Sequence, residues 1–150
     1  MRNWRAICGS CCSLLVLAAC ERPASGAESA HSPLASHGAW TRSADSGATA
    51  AVYFVLVNAA ITADTIKEVS SDAAASAGLH VSMQNARTMH MAPLTALPVP
   101  GDDSVAFRPL GAHVMLTGLR RPLSEGDTVT VKLEFVSGRS IEVRAGVRRP

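Results

Sequence analysis

One stretch near the C-terminus, residues 127–147, alternates polar and apolar side chains with a period of two. Successive side chains of a β-strand point to opposite faces, so this period predicts strands with one buried and one exposed face. The apolar side consists of Val129, Val131, Leu133 and Phe135, and the polar side of Thr130, Lys132 and Glu134. The sequence SGR at 137–139 provides a turn, after which Ile141 and Val143 resume the alternation. We therefore predict a β-hairpin over this stretch.

The rest of the chain from Trp40 onward repeats this pattern in shorter runs. Residues 48–58, ATAAVYFVLVN, are rich in β-branched and aromatic side chains. Later runs, separated by Gly, Pro, Asn and Asp, are LHVSM, ARTMHM, SVAFRPL and AHVMLTGL. No segment has the period of an amphipathic helix of normal length, although DAAASAG at 72–78 could form one helical turn. For a chain of 150 residues we predict a single all-β domain, an antiparallel β-sandwich of about seven to nine strands.

The N-terminus has the features of a bacterial export signal. Met1–Arg5 carries two arginines, and residues 6–19 are uncharged and mostly apolar but too few to span a bilayer comfortably. The run ends in LAAC, whose large aliphatic residue, two small residues and cysteine resemble the lipobox of bacterial lipoproteins. We therefore predict a signal peptide over 1–19, cleavage before Cys20 and a lipid on the Cys20 sulfur. An ordinary secretory signal cut nearby is the alternative.

Removal of this signal changes the cysteine and charge counts. Cys8, Cys11 and Cys12 lie in the removed segment, so the CGSC sequence is not interpreted as a redox or zinc motif. The mature protein then has no free thiol and no disulfide framework. Arg2 and Arg5 are also removed, which leaves 12 of the 14 basic residues against 12 acidic ones. No charge excess favours nucleic acid as a partner.

Residues 20–37 are rich in Ala, Ser, Gly and Pro and have no apolar period. This composition predicts a flexible tether between the lipid and a folded domain over 38–150. His31 and His37 lie in the tether. They would be solvated side chains without a role, or would hold a metal ion weakly.

The sulfur of the mature chain is concentrated in one part of its length. Its methionines are Met83, Met89, Met91 and Met115, and the histidines in or beside the same window are His80, His90 and His113. Residues two apart on a strand share a face, so Met89 projects with Met91 while His90 points the other way. His113 likewise projects with Met115. If QNAR at 84–87 forms a turn, His80 comes near Met91, and one cluster of imidazoles and thioethers results.

The chemistry that suits such a cluster is narrow. A thioether is soft and uncharged, and together with imidazole it selects Cu(I) over hard cations such as Mg²⁺ and Ca²⁺. Zinc would usually recruit a thiolate or a carboxylate instead. A single methionine in a strand is usually core filler, and a single histidine is usually a satisfied polar group. Core packing, however, gives no reason to confine every mature methionine to one window with histidines.

The spacing of these residues resembles a known family. His80, ten intervening residues, Met91, twenty-one intervening residues and then His113-Val114-Met115 match the H-x10-M-x21-H-x-M signature of periplasmic copper chaperones of the PCuAC type. These chaperones supply the CuA centre of cytochrome c oxidase. The resemblance covers roughly residues 38–147 and includes AW near the start, MHM in place of Met-x-Met, and the stretch AHVMLTGLRRPLSEGDTV.

The resemblance implies a cupredoxin-like Greek-key β-sandwich that binds one Cu(I) through His80, Met91, His113 and Met115. It implies that the protein delivers copper to cytochrome c oxidase subunit II or to copper-assembly proteins. It implies no enzyme activity. The location would be the periplasm, with a lipid anchor in a bacterial membrane. Met83 and Met89 are candidates for additional ligands, whereas His90 should face away from Met91. The C-terminal sequence VRAGVRRP lacks the His- and Met-rich tail of some relatives, so a second site would need His31 and His37.

Other functions remain open or are excluded by composition. A blue-copper electron carrier needs a cysteine ligand, and the only mature cysteine is Cys20. A hydrolase needs a nucleophile and a base, and no motif joins a serine to a histidine and a carboxylate. A copper-sequestering resistance lipoprotein would use the same ligands as a chaperone. A metal-free β-sandwich scaffold lipoprotein, with the methionines as core, is the alternative of another class.

Overall fold

Ten β-strands and the turns between them make up the computed structural model, which describes residues 32–85 and 88–149. The strands are β1 Leu34–Arg42, β2 Thr49–Asn58, β3 Asp64–Ser70, β4 Ala74–Asn85, β5 Thr88–Leu94, β6 Leu97–Val99, β7 Asp103–Phe107, β8 Ala112–Leu119, β9 Thr128–Phe135 and β10 Ser140–Arg148. The predicted all-β class is confirmed. Over the same two ranges, no helix is present that is long and apolar enough to cross a membrane.

All ten strands belong to one continuous hydrogen-bonded sheet. Along the sheet the order is β5-β4-β8-β2-β1-β10-β9-β3-β6, and β2 pairs with β8 through its first half and with β7 through its second. Every pair is antiparallel except β1 with β10, which run parallel. Contacts of β3 with β4 and of β6 with β7 join the two halves of the sheet. The sheet therefore folds over on itself, and its halves face each other across a core.

The core is built from alternate residues of nearly every strand, as the period of two requires. Its largest fully buried side chains are Phe135, Leu56, Ile66, Leu116, Leu123 and Leu133. Each such side chain contributes about 1.5–3 kcal/mol of burial free energy, so those on β2, β3, β8 and β9 fix which face of these strands points inward. The opposite, outward face of the strands is then available for other chemistry.

The hairpin predicted over residues 127–147 is formed by β9 and β10. Val143 lies opposite Val131 and Ile141 opposite Leu133, so the apolar sides of both strands coincide. Val131 and Leu133 are completely buried. In the connecting turn, Gly138 has a φ of 85°, a left-handed conformation that a residue without a Cβ adopts at little cost. The hairpin prediction is confirmed.

Three predictions from the sequence need correction. DAAASAG at 72–78 forms no helical turn, because its residues from Ala74 onward begin the twelve-residue strand β4. The domain also begins earlier than residue 38, because β1 starts at Leu34 and pairs with β2. His37 is consequently a strand residue opposite Val55. The strand count is ten, above the predicted seven to nine. The signal peptide, Cys20 and His31 lie outside the described residues.

A buried carboxylate holds the β9–β10 turn against β3. The hydroxyl and the backbone N–H of Ser137 both donate to Asp64, and so does the N–H of Thr65. The Arg139 guanidinium lies 3.9 Å from Asp64 Oδ2. Burial alone would raise the pKa of Asp64, but these hydrogen bonds and the nearby cation hold the pKa below its usual value. The ionised carboxylate therefore stabilises the fold.

We expect Asp64→Asn to lower the free energy of unfolding by about 1–3 kcal/mol near pH 7, because the substitution removes charged hydrogen bonds from a buried site. A folded-state pKa below the unfolded one means that the contribution is present above the unfolded value and is lost as the pH falls through the folded value. Urea unfolding at about pH 7 and about pH 3 should show the two proteins converging in acid. Asp72→Asn, on an exposed turn, is the control. A constant difference at both pH values would contradict this role.

Candidate metal centre

Two histidines face each other across neighbouring strands. His80 of β4 is the direct partner of His113 of β8. Directly opposed residues of an antiparallel pair point to the same face of the sheet. The two imidazole ring centres are 6.1 Å apart and the ring planes differ by 28°. This face is the outward one, because the neighbouring residues Leu79 and Val114 are buried in the core.

Met115 joins the two histidines because of the register of the same two strands. It lies two residues after His113 and therefore shares its face. Its partner on β4 is Gly78, which has no side chain to fill the space. A Cβ placed on Gly78 would lie 3.7 Å from His80 Nε2. The His80 ring thus leans over Gly78, and so towards Met115 on the neighbouring strand.

Met91 reaches the same face from the edge strand β5. It lies opposite Ser82, which shares the face of His80 two residues earlier. An open cavity of about 330 Å³ is lined by Met91, His113 and Met115 together with Tyr53, Ser82 and Leu110. The structure therefore brings three of the four predicted ligands to one cavity and places His80 beside His113. Met91 is 56% exposed, whereas His113 is only 3% exposed.

The orientation of His113 is fixed by a backbone carbonyl. Its Nδ1–H donates to the Gly111 oxygen at 3.0 Å. A carbonyl can only accept, so the proton is on Nδ1 and the lone pair of Nε2 is available to a metal ion. The same Gly111 oxygen also accepts the backbone N–H of Ser82 at 3.1 Å. The turn before β8 therefore ties β4 and the His113 ring to one point.

That turn has an unusual backbone. Leu110 has a φ of 62°, a conformation that a branched side chain rarely adopts. Its side chain lines the cavity and is largely exposed. Gly111 has no room for a side chain without displacement of Arg108, since a Cβ would lie 3.1 Å from Arg108 Cγ. Neither residue was singled out by the sequence patterns, because turns of this kind leave no periodic signal.

An aromatic row crosses the outward face beside the histidines. The ring centres of Trp40 and Tyr53 are 4.8 Å apart, and those of Tyr53 and His113 are 6.2 Å apart. The guanidinium carbon of Arg148 lies over the Trp40 ring, 5.3 Å from its centre. Tyr53 is therefore a wall of the site. Its outward position between the core residues Val52 and Phe54 could have indicated this role from the sequence.

The remaining methionines and histidines divide between the two faces of the β4–β5 hairpin. Met89 lies opposite Gln84 and shares the face of Met91. His90 lies opposite Met83 on the reverse face. Among the described residues, no group of three or more His, Cys, Asp and Glu side chains could hold a metal ion. A metal centre in this part of the chain would depend on the methionines.

Comparison with known proteins places the chain in a family. Residues 34–147 match the family profile described as "Putative lipoprotein LpqE-like". The chain belongs to this LpqE-like family. It is 36% identical over 112 residues to the "Putative lipoprotein Lxx21020" of Leifsonia xyli subsp. xyli (strain CTCB07). That match covers 73% of this chain and 66% of the Leifsonia protein, slightly less than two thirds of its length.

Solved structures of PCuAC domains share the fold of this LpqE-like protein. The "Copper-bound PCuAC domain from PmoF2" superimposes with a TM-score of 0.66 at 24% identity, over 79% of this chain and 94% of that one. The "Solution structure of CuI-DR1885 from Deinococcus Radiodurans" has a TM-score of 0.60 at 28% identity, over 85% and 87% of the two chains. The predicted cupredoxin-like β-sandwich is confirmed.

Residue 78 offers a test of how the His80 ring is placed. Gly78→Ala should leave the imidazole NMR resonances of His80 and His113 in place, because the added Cβ makes an ordinary contact with His80. Gly78→Leu should shift the His80 resonances, because its side chain would occupy the space of the ring. The free energy of unfolding, from urea titration, should change by no more than about 1 kcal/mol in either variant. Unchanged His80 resonances in Gly78→Leu would contradict the placement.

Proposed function

We propose that this protein is an extracytoplasmic metallochaperone that binds one Cu(I) through His80, Met91, His113 and Met115. The observation that carries the proposal is the convergence of two imidazoles and two thioethers on one face of β4, β5 and β8. The copper-bound structures that share the fold also support it. Copper is the cargo of such a protein, and no bond of a substrate is made or broken, so we propose no enzyme activity.

The ligand set favours the monovalent ion. All four side chains are neutral when they bind, and two of them are soft thioethers, which suit Cu(I) better than hard dications. No thiolate is available in the domain, since its described residues contain no cysteine. Thiolates would hold Cu(I) more tightly and would be open to disulfide formation outside the cytoplasm. Neutral ligands therefore suit a protein that gives up its ion.

The unequal exposure of the ligands supports release by ligand exchange. His113 is buried and held by Gly111, whereas Met91 is more than half exposed on an edge strand. An incoming ligand from an acceptor can therefore replace Met91 first, while His113 keeps the ion in place. The acceptor that we propose, following the resemblance in sequence, is the CuA site of cytochrome c oxidase subunit II or a copper-assembly protein.

The proposed location follows from the N-terminal sequence and from the family. Cleavage before Cys20 and lipidation of its sulfur would anchor the protein to a bacterial membrane, facing the periplasm. The membership of the LpqE-like family supports a lipoprotein. The chain between Cys20 and the start of β1 at Leu34 would then join the lipid to the sandwich.

Removal of single ligands should test the metal centre. We expect the purified protein to compete with a chromogenic Cu(I) chelator under anaerobic conditions. Met91→Leu and His113→Gln should each weaken that competition by more than about 100-fold. Loss of a residue that only hydrogen-bonds to a metal ligand lowers metal affinity by about 10- to 100-fold, and loss of the ligand itself should lower it further. His37→Gln is the matched control, since His37 is exposed on β1 and lies outside the cavity. Equal competition by all four proteins would contradict the proposed ligands.

Transfer to an acceptor should separate a chaperone from a sequestering protein. The copper-loaded protein is mixed with the apo soluble domain of an oxidase subunit II, whose CuA site offers thiolates. We expect copper to move to that domain, and Met91→Leu to release it faster than the parent protein. Because Cu(I) is d10 and colourless, the copper content of the two proteins after their separation measures the transfer. Retention of copper by the loaded protein would contradict the chaperone role and favour sequestration.

A further inference from the structure

A second methionine and histidine face each other on the β4–β5 hairpin, outside the candidate metal centre. Met83 of β4 lies directly opposite His90 of β5. Directly opposed residues of an antiparallel pair have Cβ atoms about 4.5–5.5 Å apart and share a face. A thioether sulfur and an imidazole nitrogen can therefore reach one atom between the two strands. We call Met83 and His90 the hairpin pair.

The hairpin pair points away from the candidate metal centre. The adjacent pair of residues on these strands is Ser82 with Met91. Neighbouring positions on a strand point to opposite faces, so Met91 faces the side of His80 and the hairpin pair faces the reverse side. The two sets of side chains are one position apart along each strand, with the backbone of the hairpin between them.

Met83 is too exposed to serve as a core-packing side chain. Leu79, Val81 and Met83 lie on the same face of β4. Leu79 is buried and Val81 half-buried, but Met83 is 43% exposed, so this face leaves the core as the hairpin extends. His90 is exposed as well. Methionine usually fills gaps in a core, and here the core does not enclose it.

We propose that the hairpin pair is a second binding site for a soft monovalent cation, Cu(I), held by the Met83 sulfur and one imidazole nitrogen of His90. A thioether and an imidazole are both neutral, and they favour Cu(I) over Mg²⁺ or Ca²⁺, which need several oxygen ligands. Two ligands hold the ion less tightly than the four of the candidate metal centre. Their exposure leaves the ion open to exchange.

The position of the site suggests a route for loading the cavity. β5 is an edge strand of the sheet, so an ion on the hairpin pair can pass around it to the other face. Met89 precedes His90 in the chain but lies on that other face, two residues before Met91, and it is 51% exposed. A sequence of exposed thioethers then leads to the cavity. This loading role rests on the proposed function, whereas metal binding by the hairpin pair does not.

Titration of the purified protein with Ag(I), a soft and redox-inert stand-in for Cu(I), tests the site. The methionine methyl and histidine ring resonances are followed by NMR. We expect the first equivalent to shift the four proposed ligands of the candidate metal centre, and the second to shift Met83 and His90. In Met83→Leu and in His90→Gln, the response of the remaining partner to the second equivalent should be lost. Both positions are exposed, so both variants should fold.

Two further proteins separate the two sites. Met89→Leu, an exposed methionine on the other face of β5, should keep the response of Met83 and His90. The double variant Met91→Leu with His113→Gln leaves only His80 and Met115 at the candidate metal centre, so the shifts of these two residues should be weakened and those of Met83 and His90 kept. No shift of Met83 or His90 through two equivalents, or an unchanged His90 response in Met83→Leu, would overturn the hairpin site. A response of Met83 and His90 alone would uphold it and contradict the proposed function.

Discussion

The register between β4 and β8 is the constraint on which the candidate metal centre depends. It sets His80 opposite His113 and Gly78 opposite Met115, which brings two imidazoles, a thioether and an open space onto one face. A slip of one residue would turn one strand's side chains to the other face, and the pairs would be lost. The positions of the candidate ligands on the outward face therefore depend on this strand pairing.

The core enforces that register from the other side of the same strands. Val114 and Leu116 of β8 are completely buried, and they face Leu79 and Ala77 of β4. Each large buried side chain contributes about 1.5–3 kcal/mol, so a slipped pairing that exposed them would be strongly disfavoured. Gly111 adds a local tie, since its carbonyl accepts hydrogen bonds from both Ser82 and His113. Burial of apolar side chains on the inward face of β4 and β8 thus fixes the positions of the histidines and Met115 on the outward face.

The sequence predicted those parts of the fold that follow from a period of two. The β9–β10 hairpin was clear because Val129, Val131, Leu133 and Phe135 alternate with polar residues, and the same rule placed Met89 with Met91 and apart from His90. The start of β4 was misjudged because its Ala- and Ser-rich residues carry little hydrophobic contrast. The start of β1 was missed because Leu34 is the only strongly apolar residue between Cys20 and Trp40, and because the pairing of β1 with β2 depends on residues further along the chain. Tyr53, Gly78 and Leu110 gain their importance only from tertiary neighbours, which no local pattern contains.

We propose that methionine sulfur and histidine nitrogen together hold copper on the outward face. X-ray absorption at the copper edge, on protein loaded anaerobically with one equivalent of Cu(I), tests it most directly. We expect a first shell of both nitrogen and sulfur neighbours, with the sulfur contribution reduced in Met115→Leu and unchanged in Met83→Leu. A shell of nitrogen and oxygen only, identical in the parent protein and in Met115→Leu, would contradict the claim.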